Sequence, residues 1–315
     1  MKKILGEKYK GDSPYVANCR KLQSIYRVEI GEEIRPYTDR NGNVHYYGNY
    51  INNGESPKSG CWKNFLTKHA FDHAMYRVKH KEKYETIERD RLFNNLLSSQ
   101  PMAFNLFCPL QQMFEKSPES ATKVIKAALP DYSIRELTEI VLEFIPQNYK
   151  DLTGDKSAMD AIIKFEDEHG KKGFIAVETK YSENLGANIA SRREKSIEAI
   201  RCLKRFTPDV EQSIMKGDTP LTQVYRNFLL SEMYGLKKGL LSYSIILAPK
   251  EHPTTNNEFE SLTNVLRDEY KNKIKKIDLE NFVNTIINHS PNEYRAVFER
   301  FYDRYLNFDK LKDFE

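Results

Sequence analysis

Three side chains near the middle of the chain have the types and spacing for metal-assisted chemistry. Glu178 and Lys180 stand one residue apart in VETKYSE, where the apolar run GFIAV ends. In an extended strand alternate residues share a face, so Phe174, Ala176, Glu178 and Lys180 point one way and Ile175, Val177, Thr179 and Tyr181 the other. The carboxylate and the amine then sit about 7 Å apart along the backbone. SAMDAIIKFED (157–167) reads as a second strand, and EHGKK (168–172) as the turn joining it to KGFIAVETKY (172–181). A hairpin centred on His169 sets Asp160 opposite Glu178, with Cβ atoms about 5 Å apart.

Two carboxylates that close repel unless a cation joins them. A hard divalent ion such as Mg²⁺ takes few carboxylates and completes its shell with water and phosphate oxygens. A lysine beside it holds or polarises a water and stabilises developing charge. The pattern points to phosphodiester hydrolysis. Glu269-Tyr270-Lys271 repeats the E-x-K spacing inside the solvated stretch DEYKNKIKK. The triplet alone is therefore uninformative; its position after an apolar strand carries the expectation.

Other residues compete for the site or would extend it. Asp155 lies in Thr153-Gly154-Asp155, a turn, and pairing it with Glu178 needs a hairpin centre before EHGKK; Asp160 is preferred. Glu143, in EIVLEFIP, is a candidate acid for a second metal, the alternative being a solvent-facing strand residue. Glu183 either joins the site or caps the next segment. Gln223 and Arg226, three apart on a helix, share a face; they would support a phosphate or Lys180, or form an ordinary wet face. RREKSIEAIRCLKR (192–205) places Arg192, Arg193 and Lys195 at the start of a basic helix, which would hold DNA phosphates or be a solvated face. His69 and His73 have metal-ligand spacing, but Ala70 stands where HExxH needs a glutamate, and no third ligand is evident. No GxxxxGK[ST] loop occurs, so ATP hydrolysis is not expected.

The elements that must position these residues follow from pattern and punctuation. Residues 1–60 read as polar and turn-rich, with a weak strand pair around VHYYGNYI (44–51). Helical spacing runs from Cys61 to Ser98, and Ser99-Gln100-Pro101 breaks it. Residues 110–130 read as a helix closed by Pro130, and TEIVLEFIP (138–146) as a strand. A basic helix spans 187–206. An amphipathic helix over 220–236 is entered through Asp218-Thr219-Pro220. LLSYSIILAPK (240–250) is a strand, and 258–271 and 278–308 are mostly helical. Three strands able to form a meander, then a helical crossover to one more, give an α/β fold with a mixed sheet flanked by helices.

Composition sets the bounds. In 315 residues, 39% apolar, 19 Tyr and 17 Phe are enough for a sizeable core. The formal net charge of +4 is too mild to require a polyanionic partner, so a nucleic-acid surface would be a local patch. Four cysteines without CxxC spacing suit reduced thiols in the cytoplasm. No apolar run approaches membrane-spanning length.

SAMD(160) followed by GFIAVE(178)TK(180) resembles the PD-(D/E)xK nuclease superfamily, the restriction-endonuclease-like fold. RLFNNLLSSQPMAFNLFCPL (91–110), YKDLTGDKSAMDA (149–161), IAVETKYSE (175–183) and QVYRNFLL (223–230) are similar to a prokaryotic family regarded as restriction endonucleases. The similarity runs from about residue 60 to the C-terminus. It implies a core of helix, three-stranded antiparallel meander, helix and crossover strand, with helical additions at both ends. It implies Asp160 and Glu178 as metal ligands, the Thr179 backbone carbonyl as a further one, and Lys180 serving the nucleophilic water. Met159 departs from the namesake motif, which has Pro before the aspartate.

The expected organisation is a turn-rich segment over 1–60, a helical part over 61–130, the nuclease core over 131–255 and a helical extension over 256–315. The expected function is DNA hydrolysis by a Mg²⁺-dependent endonuclease of restriction or defence type, with Mn²⁺ able to substitute and a homodimer expected for staggered cutting. Two alternatives stay open: a nucleic-acid-binding module without turnover on the same fold, and a nuclease acting on RNA or structured DNA.

Overall fold

The computed structural model describes residues 2–52, 62–85, 87–183 and 193–314. A short ribbon pairs β1 (Tyr37–Thr38) with β2 (Val44–His45). The main sheet holds β3 (Ile134–Phe144), β4 (Met159–Asp167), β5 (Lys172–Thr179), β6 (Leu241–Ala248) and β7 (Ile274–Asp278), side by side in that order. β3, β4 and β5 form the antiparallel meander. β6 runs parallel to β5, and β7 parallel to β6. The β5–β6 crossover carries the helices Arg193–Leu203, Val210–Lys216 and Gln223–Lys238.

Local chemistry sets the register of the central hairpin. Asp167 accepts hydrogen bonds from the backbone N–H groups of His169 (2.9 Å) and Lys171 (2.7 Å), and Gly170 takes the left-handed turn position at φ 76°. Ala161 pairs with Val177 and Ile163 with Ile175, each pair equidistant from His169.

Alternation then sorts the strands onto two cores. Ala161, Ile163, Ile175 and Val177 pack with the helices Ser99–Lys116, Pro118–Ala128, Leu279–His289 and Asn292–Tyr305. Ile162, Phe174 and Ala176 pack on the opposite face with Ile197, Val224, Phe228 and Leu229. The first cluster runs from Cys19 to Leu306, so helices near both ends of the chain share a core with the sheet.

Several elements differ from expectation. The segment 1–60 contains a 16-residue helix, Pro14–Glu29, capped by the Ser13 side chain. Its buried face mixes Gln23, Ser24 and Arg27 with Leu22 and Ile25, which hides the apolar period. The strand pair near 44–51 is instead the ribbon Tyr37–Thr38 with Val44–His45. Ser99-Gln100-Pro101 opens a helix rather than breaking one. Ser98 caps Ser99–Lys116, and Pro101 falls in the first turn, where its missing N–H costs nothing. The helix expected over 110–130 is two helices divided at Ser117. The amphipathic helix starts at Gln223, with Thr222 at its cap position, past Pro220. β7 lies in the lysine-rich gap between two expected helices; lysines are common on an edge strand, where they discourage further pairing.

Candidate active site

The end of β5 is held on both sides. Glu178 and Thr179 are in parallel register with Ile246 and Leu247 of β6, and the Lys180 N–H donates to the Leu247 carbonyl at 3.0 Å. On the other side, the Ala161–Val177 pair brings Asp160 beside Glu178. One oxygen of Asp160, Oδ2, accepts from both the Thr179 backbone N–H (2.6 Å) and the Thr179 hydroxyl (2.7 Å). The aspartate is thereby pinned to the strand that carries Glu178 and Lys180.

Glu178 is 5% exposed and Lys180 6%. The Lys180 Nζ lies 2.6 Å from Glu178 Oε1. Gln223 donates its amide to the same oxygen at 2.7 Å, and Asn227 donates to Oε2. Gln223 and Asn227 are four apart on one helix, so a single helical face orients the carboxylate.

The electrostatics are those of crowded, dry acids. Burial pushes the Glu178 carboxyl up to about 7, against the opposing pull of Lys180 and with a contribution from Asp160. Burial also raises Asp160, against Lys180 and the Thr179 donors. Burial works against the Lys180 ammonium, but the carboxylates of Glu178, Asp160 and Glu183 outweigh it and raise its pKa.

Two further glutamates flank this group. Glu143 lies between Leu142 and Phe144, whose β4 partners are Ala161 and Met159, so it stands opposite Asp160. It is buried, with a left-handed backbone at φ 52° that an L side chain rarely adopts. Its carbonyl accepts from Arg77 at 2.9 Å and its carboxyl from the Gln100 amide at 3.1 Å. Burial, with Asp160 adding repulsion, pushes it up to about 8. Glu183 accepts from Arg91, from the Ser99 backbone N–H (2.8 Å) and from the Ser99 hydroxyl (3.0 Å). Burial opposes its charge, but Arg91, Lys180 and the Ser99 N–H prevail and hold it down at about 2.

The remaining expected residues divide. Gln223 is in the group through Glu178. Arg226 turns to Asp155, with Nε 3.0 Å from its Oδ2, and donates to the Leu221 carbonyl at 3.0 Å. Asp155 also accepts from the Ser157 N–H at 2.7 Å. Arg193 opens the basic helix near Gly217, and Lys195 donates to the Lys150 carbonyl at 2.6 Å. Arg192 lies outside the described residues. Glu269-Tyr270-Lys271 sits in a short 3₁₀ helix, where Lys271 pairs with Asp268. His73 packs edge-on against Phe104, and burial lowers its pKa to about 4.

Sequence reasoning missed Asn227, Arg91, Ser99 and Gln100. The signal for Asn227 is its i+4 spacing from Gln223. The other three come from the 91–110 stretch, distinctive in sequence but with no chemistry visible until it folds against Glu143 and Glu183.

The donor set suits a divalent cation. Glu178 and Glu143 are buried and Asp160 is half-buried between them; Lys180, the Thr179 donors and Gln100 relieve only part of their repulsion, and a cation at Asp160 and Glu178 would relieve more. Among the described residues, no three His, Cys, Asp or Glu side chains already converge as a metal cage. A Mg²⁺-like ion needs only one or two carboxylates, with water and substrate phosphate filling the rest of its shell.

The model of the PD-(D/E)XK nuclease superfamily matches residues 10–307. No curated protein and no solved structure matches the chain. The family match spans nearly the whole chain, and the meander with its parallel crossover strand agrees with it: the chain belongs to the PD-(D/E)XK nuclease superfamily.

Proposed function

We propose that the protein is a divalent-metal-dependent endonuclease that hydrolyses DNA phosphodiester bonds, of restriction or defence type and working in the cytoplasm. The observation that carries this reading is the buried ion pair of Lys180 and Glu178 with Asp160 fixed to the same strand end through Thr179. Membership of the superfamily supports a nucleic-acid substrate. Among the described residues no helix is long and apolar enough to cross a membrane.

Each residue has a role on this reading. Asp160 and Glu178, with the Thr179 carbonyl, would hold Mg²⁺ or Mn²⁺, which when bound would supply charge neutralisation at the phosphate and the leaving oxygen. Lys180 holds the attacking water and stabilises charge as it develops. Gln223 and Asn227 position Glu178. Glu143 supplies a further acid next to Asp160. Arg226, committed to Asp155, holds the Gln223 helix in place rather than a phosphate.

The test is a substrate panel: supercoiled DNA, linear duplex, single-stranded DNA and RNA, each incubated with purified protein in Mg²⁺ or Mn²⁺. Nicking or linearisation of the supercoiled circle is the expected result. Cleavage of RNA alone would replace the DNA assignment, and no cleavage of any substrate in either metal would overturn the proposal.

A further inference from the structure

The first 50 residues build a cavity that the active site does not use. Tyr9, Tyr37, Tyr47 and Tyr50 line a basin of about 570 Å³ together with His45 and Arg20. That volume is in the range of sites for small planar ligands. Its walls are rings already in stacking geometry: Tyr37 and Tyr50 lie 5.1 Å apart at 12°, and His45 and Tyr47 5.0 Å apart at 10°. Tyr9 meets Tyr47 edge-on, yet is 49% exposed. A tyrosine left half in water beside four other rings is available to a planar guest.

The polar groups narrow the guest. Arg20 lies under the rings of Tyr9 and Tyr47, 5.5 and 5.4 Å from their centroids, and is fixed by Asp12 and Asn49. Glu7 and Asp39, which also line it and lie close to His45, disfavour an anion inside the basin. Asp39 is already engaged by the N–H groups of Asn41 and Asn43 and by the Asn43 amide, so Glu7 is the carboxylate that can accept from the N–H groups of a base edge. Lys8 and Lys10, both exposed, also line the basin and suit flanking phosphates. A neutral, flat, N–H-bearing guest on a phosphate backbone satisfies all of these groups.

The basin is also tied to the active site. Arg20 donates to Asn49, Asn49 to Asn95, and Asn95 caps the C-terminus of the short helix Arg89–Asn94, whose Arg91 holds Glu183. We infer that the tyrosine basin takes a nucleobase displaced from its stack, in the same nucleic acid whose backbone reaches the Asp160–Glu178 group. The inference rests on the nuclease reading and adds a recognition site to it. Stacking on tyrosine favours unpaired or distorted substrate, because extruding a base from a perfect duplex has an unstacking cost.

The test is fluorescence anisotropy in EDTA with three labelled duplexes: fully paired, with one unpaired adenine, and with an abasic residue in place of that adenine. The proteins are the wild type, Tyr9→Ala/Tyr37→Ala and Tyr9→Phe/Tyr37→Phe. The wild type is expected to bind the unpaired-adenine duplex about tenfold more tightly than the other two. The alanine pair should lose that preference, and the phenylalanine pair, which keeps the rings, should retain it. Equal affinity of the wild type for the three duplexes overturns the inference, and so does an alanine pair that keeps the preference. If the alanine pair does not fold, the comparison of abasic and adenine duplexes on the wild type decides alone. DNA cleavage without base preference removes only the basin's role; failure to cut any nucleic acid removes the nuclease reading.

Discussion

Gln223 donates its side-chain amide to Glu178 Oε1, the same carboxylate oxygen that Lys180 holds at 2.6 Å. The helix and the strand end thus share one oxygen, and the carboxylate cannot rotate without breaking both contacts. Removing the amide should leave the chain folded but its site loose. Gln223→Ala and Asn227→Ala are each expected to lower single-turnover DNA cleavage by about tenfold to a hundredfold, because misplacement of a reacting group by about 1 Å has effects of that size. Stability should fall by about 1.5 to 3 kcal/mol, the range for a hydrogen bond to a charged group. A rapid-quench time course with a denaturant titration separates the two effects.

A cation should relieve repulsion among the acids even without substrate. Mg²⁺ or Mn²⁺ is expected to raise the thermal unfolding midpoint of the wild type, since a ligand that binds only the native state stabilises it by mass action. Asp160→Asn keeps an oxygen acceptor for the Thr179 donors while removing a half-buried charge from beside Glu178. Its midpoint without metal should match or exceed that of the wild type, and its metal response should be lost. Differential scanning fluorimetry with and without metal reads both.

Glu183 should show in the pH dependence of stability. Its pKa is depressed to about 2, chiefly by Arg91 against the cost of burial. A carboxylate depressed in the native state contributes stability that is complete above its unfolded pKa, near 4.5, and lost as pH falls toward 2. Glu183→Gln is therefore expected to cost on the order of 2 kcal/mol at pH 6, with the difference from wild type shrinking steadily below pH 4.5. Urea titrations at pH 6 and pH 3.5 give the comparison.

Arg226 separates a structural pair from a phosphate contact. Its partner Asp155 is nearly buried, so Arg226→Ala strands a carboxylate and should destabilise by about 3 kcal/mol. Adding Asp155→Asn to it should recover part of that loss. Cleavage per folded molecule should change little in the double variant. A double-mutant cycle in denaturant, with activity normalised to folded fraction, measures this.

Legibility in the sequence follows the range of the interactions. The approach of Asp160 to Glu178 can be read in advance because one tight turn sets the hairpin centre and β-alternation does the rest. β5 and the crossover strand β6 are readable as dense apolar runs, whereas β3 begins at Ile134, ahead of the expected Thr138, because its first half, IRELTE, is mostly polar and exposed. The Pro14–Glu29 helix is not readable, because Gln23 and Arg304 bond each other inside the core and put polar residues where a stripe would be apolar. β7 is obscured by its lysines. Arg91, Ser99 and Gln100 meet Glu183 and Glu143 across more than 40 residues of chain, a tertiary fact that no local pattern encodes.

The central claim is that Asp160, Glu178 and Lys180 act together on a phosphodiester. Its most direct measurement is the cleavage rate of supercoiled DNA in Mg²⁺ by the wild type, Asp160→Asn, Glu178→Gln and Lys180→Ala, each checked for native circular dichroism. The account predicts losses of at least about a hundredfold for all three variants. Folded variants that cut as fast as the wild type would contradict it.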